Sequence, residues 1–323
     1  MATSNLAGRQ LVKAWRSISK IKRHRFMNHE SKSQDRHRAG NLSTNVWWTW
    51  STPALLALGL TGASILFDGG GPVRTAHWSI QHDVFLVLNQ MFSYLPSGFW
   101  AMITLLGDAS ILMLALALFV LTKPQVWFAV LASIPTGALF SVVGKHWASV
   151  PRPASVIEPS LFNVIGPLLQ HYSLPSGHSV TAFAVAAALL ATLAPTPRSQ
   201  RDWTLVGCVL GFACLIAMSR VAVGAHWPLD LLTGAAGGWL SGLIGAALAR
   251  RSTWWSWVFA GRGRFALTAV LLVWSSLLWL RPTEFIGTHV VLAAANLCGL
   301  VTCLGLFSHR IDQAVIPHLS RSS

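Results

Sequence analysis

Eight apolar runs divide this chain, and they decide what it can fold into. They lie at 47–67, 99–121, 125–144, 178–195, 203–223, 228–249, 265–280 and 286–307. Crossing a hydrocarbon core about 30 Å thick takes roughly 20 helical residues, which is the scale of these runs. Lipid offers the backbone no hydrogen bonds, so a spanning run must close its own N–H and C=O groups as helix. The expected fold is therefore all-α, a polytopic membrane helix bundle. A further apolar piece, 84–94, is too short to span and is expected at the interface. Charge content agrees: Asp, Glu, Lys and Arg make up 11% of the 323 residues, against about 25% in soluble domains.

The net charge of +14 resembles a nucleic-acid signal, but its placement argues otherwise. Ten of the 24 Lys and Arg precede residue 40. They form a basic arm, 1–46, with no aromatic or motif context, so no nucleic-acid partner is expected. The arm is too long for a cleaved leader, and the run after it is long enough to span. Trp47, Trp48 and Trp50 sit where an aromatic belt would lie. With the arm in the cytoplasm and the runs alternating, Lys123, Arg198, Arg201, Arg250, Arg251, Arg262, Arg264, Arg310 and Arg321 also fall inside. Only Arg74, Lys145, Arg152, Arg220 and Arg281 fall outside, which obeys the positive-inside rule. Both termini are expected in the cytoplasm. The cysteines, Cys208, Cys214, Cys298 and Cys303, lie inside apolar runs without metal-ligand spacing and read as small buried hydrophobes.

Three short polar blocks interrupt this pattern, and the alternation puts all three on the outer face. The first is Lys145, six residues, then Arg152-Pro153. The second is Pro175-Ser176-Gly177-His178. The third is Ser219-Arg220, five residues, His226, three residues, Asp230. Ser176 is a good helix N-cap, Gly177 allows close approach, and a helix N-terminus suits a phosphate. Alone, that block reads more simply as a cap beside a surface histidine. Pro228 places a helix start near Trp227. Asp230, in the first turn, then either complements the helix dipole or holds one imidazole nitrogen of His226 and leaves the other free. Arg152 can grip two phosphoryl oxygens, and Lys145 supplies a point charge. Interfacial snorkelling explains one such cation, but not three on the face the charge rule disfavours.

Together, the eleven specified residues resemble the three signature motifs of the type 2 phosphatidic acid phosphatase superfamily, which includes lipid phosphatases, glucose-6-phosphatase and vanadium haloperoxidases. The resemblance covers roughly residues 85–250. It implies His226 as nucleophile through a phosphohistidine, Asp230 as its orienting group, and His178 as general acid and then base. It implies Lys145, Arg152, Ser176, Gly177 and Arg220 as phosphate-binding residues. It implies no metal and no cofactor, which fits chemistry carried by positioning and charge stabilisation.

The expected organisation is a basic cytoplasmic arm at 1–46, a six-span phosphatase core at 47–250, and two additional spans with a short cytoplasmic tail at 251–323. The expected function is hydrolysis of a lipid phosphate or diphosphate at the periplasmic face of a bacterial inner membrane. Candidate substrates are undecaprenyl diphosphate, phosphatidylglycerophosphate, phosphatidic acid and lipid A. A lipid phosphotransferase using the same site is the alternative, and a transporter or scaffold a distant third. Loop 154–174 is expected over the site, with Leu161, Phe162, Val164, Ile165, Leu168 and Leu169 towards lipid chains or the bilayer. Asp108, inside the second run, reads either as a structural polar contact or as a substrate or proton group.

Overall fold

The computed structural model describes Thr49 and residues 51–63, 77–251, 255–259, 261–282, 285 and 287–307. The basic arm, the Trp47–Trp48–Trp50 cluster and the C-terminal tail lie outside the described residues. The chain divides into two units at Trp50–Ser51.

The described residues form helices and no strands. We label them α1 (Ser51–Ala63), α2 (His82–Phe92), α3 (Ser97–Leu105), α4 (Ala109–Thr122), α5 (Pro124–Ala148), α6 (Gly177–Leu193), α7 (Gln200–Ala222), α8 (Pro228–Arg251), α9 (Arg262–Leu280) and α10 (His289–Leu306). Five of them, α5 and α7 to α10, are long and apolar enough to cross a membrane. The α3–α4 pair makes a sixth if its two halves are one span. The expected second span, 99–121, is thus not one straight helix: α3 and α4 meet at 75°. Asp108 is the physical reason. Its carboxylate accepts from Ser110 N at 2.8 Å and Ile111 N at 3.4 Å, capping a new helix inside an apolar run. The 84–94 piece is the helix α2.

The bundle is built around α8, which packs on α6 and α5. Gly234, Gly238 and Gly242 recur every four residues and so share one face. A Cβ at Gly234 would lie 2.5 Å from the Ser176 carbonyl oxygen. At Gly238 and Gly242 it would run into the carbonyls of Val180 and Ala184. Small residues of this kind let helix backbones approach closely where no hydrophobic effect drives them together. The α9–α10 pair packs on itself and on α4. Of the cysteines, only Cys303 is buried and Cys298 is half-buried. Cys208 and Cys214 are exposed on α7, so the expectation of burial fails for them. An apolar side chain on a spanning helix can face lipid as readily as protein.

Candidate active site

The three polar blocks converge at one end of α5, α6, α7 and α8. Arg220 lies in the last turn of α7, and the chain turns through Gly224, whose φ of +76° is left-handed. A Cβ there would also meet the Phe162 ring and the Asn163 carbonyl, which is why glycine occupies it. The Arg220 carbonyl accepts from Ala225 N at 2.9 Å and His226 N at 3.3 Å, delivering His226 to the start of α8.

Asp230 is fully buried and serves both readings left open by the sequence. It caps α8, its Oδ2 accepting from Trp227 N at 2.9 Å. The same oxygen stands 3.4 Å from His226 Nδ1 and accepts from the Ser173 hydroxyl at 2.5 Å. Its Oδ1 is 3.1 Å from His77 Nε2. A carboxylate only accepts, so each of these partners donates. Hydrogen bonds to a charged group are worth about 1.5–3 kcal/mol each, so this convergence fixes the carboxylate firmly.

His226 is therefore oriented through Nδ1–H, and its Nε2 carries the lone pair. Arg152 confirms the tautomer from the other side, its Nη1 donating to Nε2 at 3.3 Å. Burial first, and the Arg152 charge second, push the His226 imidazolium pKa down to about 3. This favours the neutral ring across the physiological range.

Arg152 is held by backbone carbonyls: Nε donates to His171 O at 2.8 Å and Nη1 to Ala225 O at 3.0 Å. Trp227, fully buried against Trp78 and Phe85, donates its indole N–H to Pro151 O at 2.8 Å. The first and third blocks are thereby tied to each other. The second is tied in through Ser176, whose N–H donates to the Asp230 carbonyl at 3.0 Å while its hydroxyl caps α6 by accepting from Ser179 N at 3.4 Å. Lys145 points over this turn, its Nζ 3.9 Å from where a Cβ would stand on Gly177. Arg220 is buried and donates to the Thr104 hydroxyl at 2.5 Å.

A cavity of about 240 Å³ opens among these groups, lined by Lys145, Arg152, Gly177, His178, Arg220 and His226. Ser176 and Asp230 stand behind the wall. His178 is half-buried and, among the described residues, accepts or donates no side-chain hydrogen bond. Shape holds it instead: a Cβ on Gly107 would lie 2.6 Å from His178 Cδ2. Asp108, Leu169, Leu278, Arg281 and Phe285 complete the walls. Four cations, Lys145, Arg152, Arg220 and Arg281, line the cavity with the carboxylate of Asp108, while that of Asp230 lies behind the wall. Both carboxylates are already engaged, Asp230 as described and Asp108 with Arg281 at 2.7 Å.

Loop 154–174 is built into the site, as its Arg152 and Asp230 contacts show. Its apolar residues divide. Phe162, Ile165 and Leu169 pack inward on Phe85, Trp100 and Val223, while Leu161 and Leu168 are exposed. Sequence reasoning missed His77, Ser173, Thr104 and Asn89. The Asn89 amide donates to Val221 O at 2.8 Å and to Asn163 O at 3.0 Å, while its Oδ1 accepts from Asn163 N at 2.7 Å. None of these stands at a fixed spacing from the blocks it serves.

The PAP2 superfamily pattern matches residues 125–254. An undecaprenyl-diphosphatase of Sulfolobus acidocaldarius is 30% identical over 128 residues, 39% of this chain and 57% of that protein. A putative undecaprenyl-diphosphatase of Escherichia coli, YbjG, is 38% identical over 78 residues, 24% of this chain and 33% of that protein. The chain thus spans less than two thirds of either curated relative. Among solved structures, Aquifex aeolicus LpxE aligns with a TM-score of 0.43 at 23% identity, covering 54% of this chain and 96% of that one. A PAP2 type phosphatidylglycerolphosphate phosphatase from Bacillus subtilis aligns at 0.42 and 20%, covering 62% and 94%. These two likenesses are too distant to carry an argument about chemistry. Residues 125–254, the segment that matches the PAP2 superfamily pattern, hold all three polar blocks.

Proposed function

We propose that this protein is an integral membrane lipid phosphatase that hydrolyses a lipid diphosphate or phosphate monoester through a phosphohistidine, without a metal ion. The observation that carries it is the single cationic cavity in which a buried, neutral His226 presents Nε2 while Asp230 holds Nδ1. Nε2 attacks phosphorus, the bond from phosphorus to the leaving oxygen breaks, and protonated His178 gives that oxygen its proton. Lys145, Arg152, Arg220 and the α6 N-terminus at Ser176–Gly177 neutralise the equatorial oxygens. Water then attacks the phosphohistidine, losing its proton to His178 and releasing phosphate and a free His226. Splitting the displacement in this way replaces one difficult step by two easier ones.

The names of the two curated relatives support a polyprenyl diphosphate among the lipid candidates, and the distribution of Lys and Arg supports a periplasmic site. Purified protein in detergent, given polyprenyl diphosphate, phosphatidic acid, phosphatidylglycerophosphate or lipid A, should release inorganic phosphate from at least one of them. Release should persist in EDTA and stop with vanadate. Loss in EDTA that a divalent ion restores would overturn the metal-free mechanism, and no release from any of the four would overturn the phosphatase assignment.

A further inference from the structure

The two outer cations that the polar blocks do not absorb are Arg74 and Arg281. Arg74 lies outside the described residues, and Arg281 lies in the cavity wall. It follows the last turn of α9, a helix beyond the matched segment. Its guanidinium pairs with Asp108, the cap at the α3–α4 bend. A second cavity, about 570 Å³ and almost wholly apolar, runs along α9 past Val273, Trp274, Leu277 and Leu278 to Ser110 of α4. Leu278 and Arg281 line both spaces. A cationic chamber thus passes into a greasy groove, and a guanidinium stands at the seam.

We infer that this seam is the subsite for the part of the substrate beyond the scissile bond: Arg281 receives the second phosphoryl group of a lipid diphosphate, and the α9 groove receives its hydrocarbon chain. The inference rests on the phosphatase reading above. In that reaction the leaving group is a lipid monophosphate, whose bridging oxygen takes the His178 proton while its own phosphoryl oxygens carry negative charge. Of the charged side chains in the cavity, Lys145, Arg152 and Arg220 surround the phosphorus under attack. That leaves Arg281 for the phosphoryl group next along the chain. A guanidinium has five donors in a planar fork, so it can keep Asp108 and contact phosphate together. Asp108 then acts as a positioning residue, fixing Arg281 from the helix cap. The groove commits to the substrate's own chain because it shares Leu278 and Arg281 with the cavity and is apolar where the cavity is charged, the order in which a lipid phosphate runs.

The test compares three substrates: a long polyprenyl diphosphate, the monophosphate of the same prenol, and water-soluble p-nitrophenyl phosphate. Arg281 and Val273 are about half exposed, so substitution there should leave the bundle folded. Arg281→Gln should lower kcat/KM for the diphosphate about tenfold, the loss of one charged hydrogen bond, and leave the other two substrates within about twofold. Arg281→Lys should recover part of the loss. Val273→Trp, which fills the groove, should raise KM for both prenyl substrates and not for p-nitrophenyl phosphate. Equal losses on all three substrates, or none on the diphosphate, would overturn the subsite while leaving the phosphatase reading intact. A wild-type protein inactive on all three would remove both.

Discussion

The wall that carries His226 and the turn that carries His178 face one cavity and are held by different means. His226 is fixed by hydrogen bonds on both ring nitrogens, and its partner Asp230 is fixed in turn by His77, Ser173 and the α8 backbone. His178 is fixed by contact with Gly107 of the α3–α4 bend. A nucleophile needs one tautomer and one direction of attack. A proton shuttle must alternate between two protonation states and two oxygens, leaving group and water. A tight hydrogen bond to either state would hinder that exchange, and a shaped slot does not.

The comparison breaks most sharply at His226 itself. His226→Ala should lower turnover on the order of 10⁶-fold, the scale of removing a covalent nucleophile, and acid quench should trap no phosphoenzyme. An acid-labile adduct on this variant, mapped to His178, would reverse the two roles. His178→Ala should cost about 10²–10⁴-fold with a lipid substrate and much less with an aryl phosphate, whose leaving oxygen needs little protonation. Its phosphoenzyme should accumulate, because water then lacks a base. Equal losses on good and poor leaving groups would mean that His178 moves no proton.

Gly107→Ala sharpens the claim that packing holds His178. The new methyl group must displace the ring, and a shift near 1 Å can cost about 10²-fold. The loss should again be concentrated on poor leaving groups, beyond any general loss that a lower melting temperature from the added contact accounts for. Wild-type turnover in this variant would show that the slot is not what positions the ring.

The smallest effect is on stability. His226 has a folded-state pKa near 3, while an unfolded histidine titrates near 6.5. Between those values the unfolded chain binds a proton that the native one does not. This residue's contribution is therefore present above pH 6.5 and declines as pH falls towards 3. Melting temperature in detergent should drop more steeply over that window for wild type than for His226→Asn. Parallel curves would place the acid sensitivity elsewhere.

The parts of this site that were legible in the sequence share a cause. Asp230 follows His226 by four residues at a helix start, and Ser176–Gly177–His178 is a cap followed by its first turn, so local geometry fixes them. The helices were legible because lipid leaves the backbone no alternative. His77, Ser173 and Asn89 were not, because each acts on a partner distant along the chain and carries no periodicity. The bend at Asp108 did leave a trace, a Gly-Asp pair inside an apolar run. In sequence such a carboxylate reads as a structural polar contact or as a substrate or proton group, and not as the end of one helix and the start of another. The part that α9 plays in the cavity wall was hidden for a simpler reason: nothing in an apolar run says which of its faces meets protein.

The Ser176 amide has a consequence for how the proposed phosphatase activity is lost on heating. Its bond to the Asp230 carbonyl lies at the head of the glycine seam, where α6 and α8 touch backbone to backbone. His226, Asp230 and the Ser176–Gly177 turn therefore belong to one packed unit, which is expected to open only with global unfolding. In native-state hydrogen exchange the Ser176 amide should exchange as slowly as amides at the centre of α8, reporting global unfolding alone. Activity and fold should then be lost in a single transition, and whatever opening admits a lipid must come from elements outside that unit.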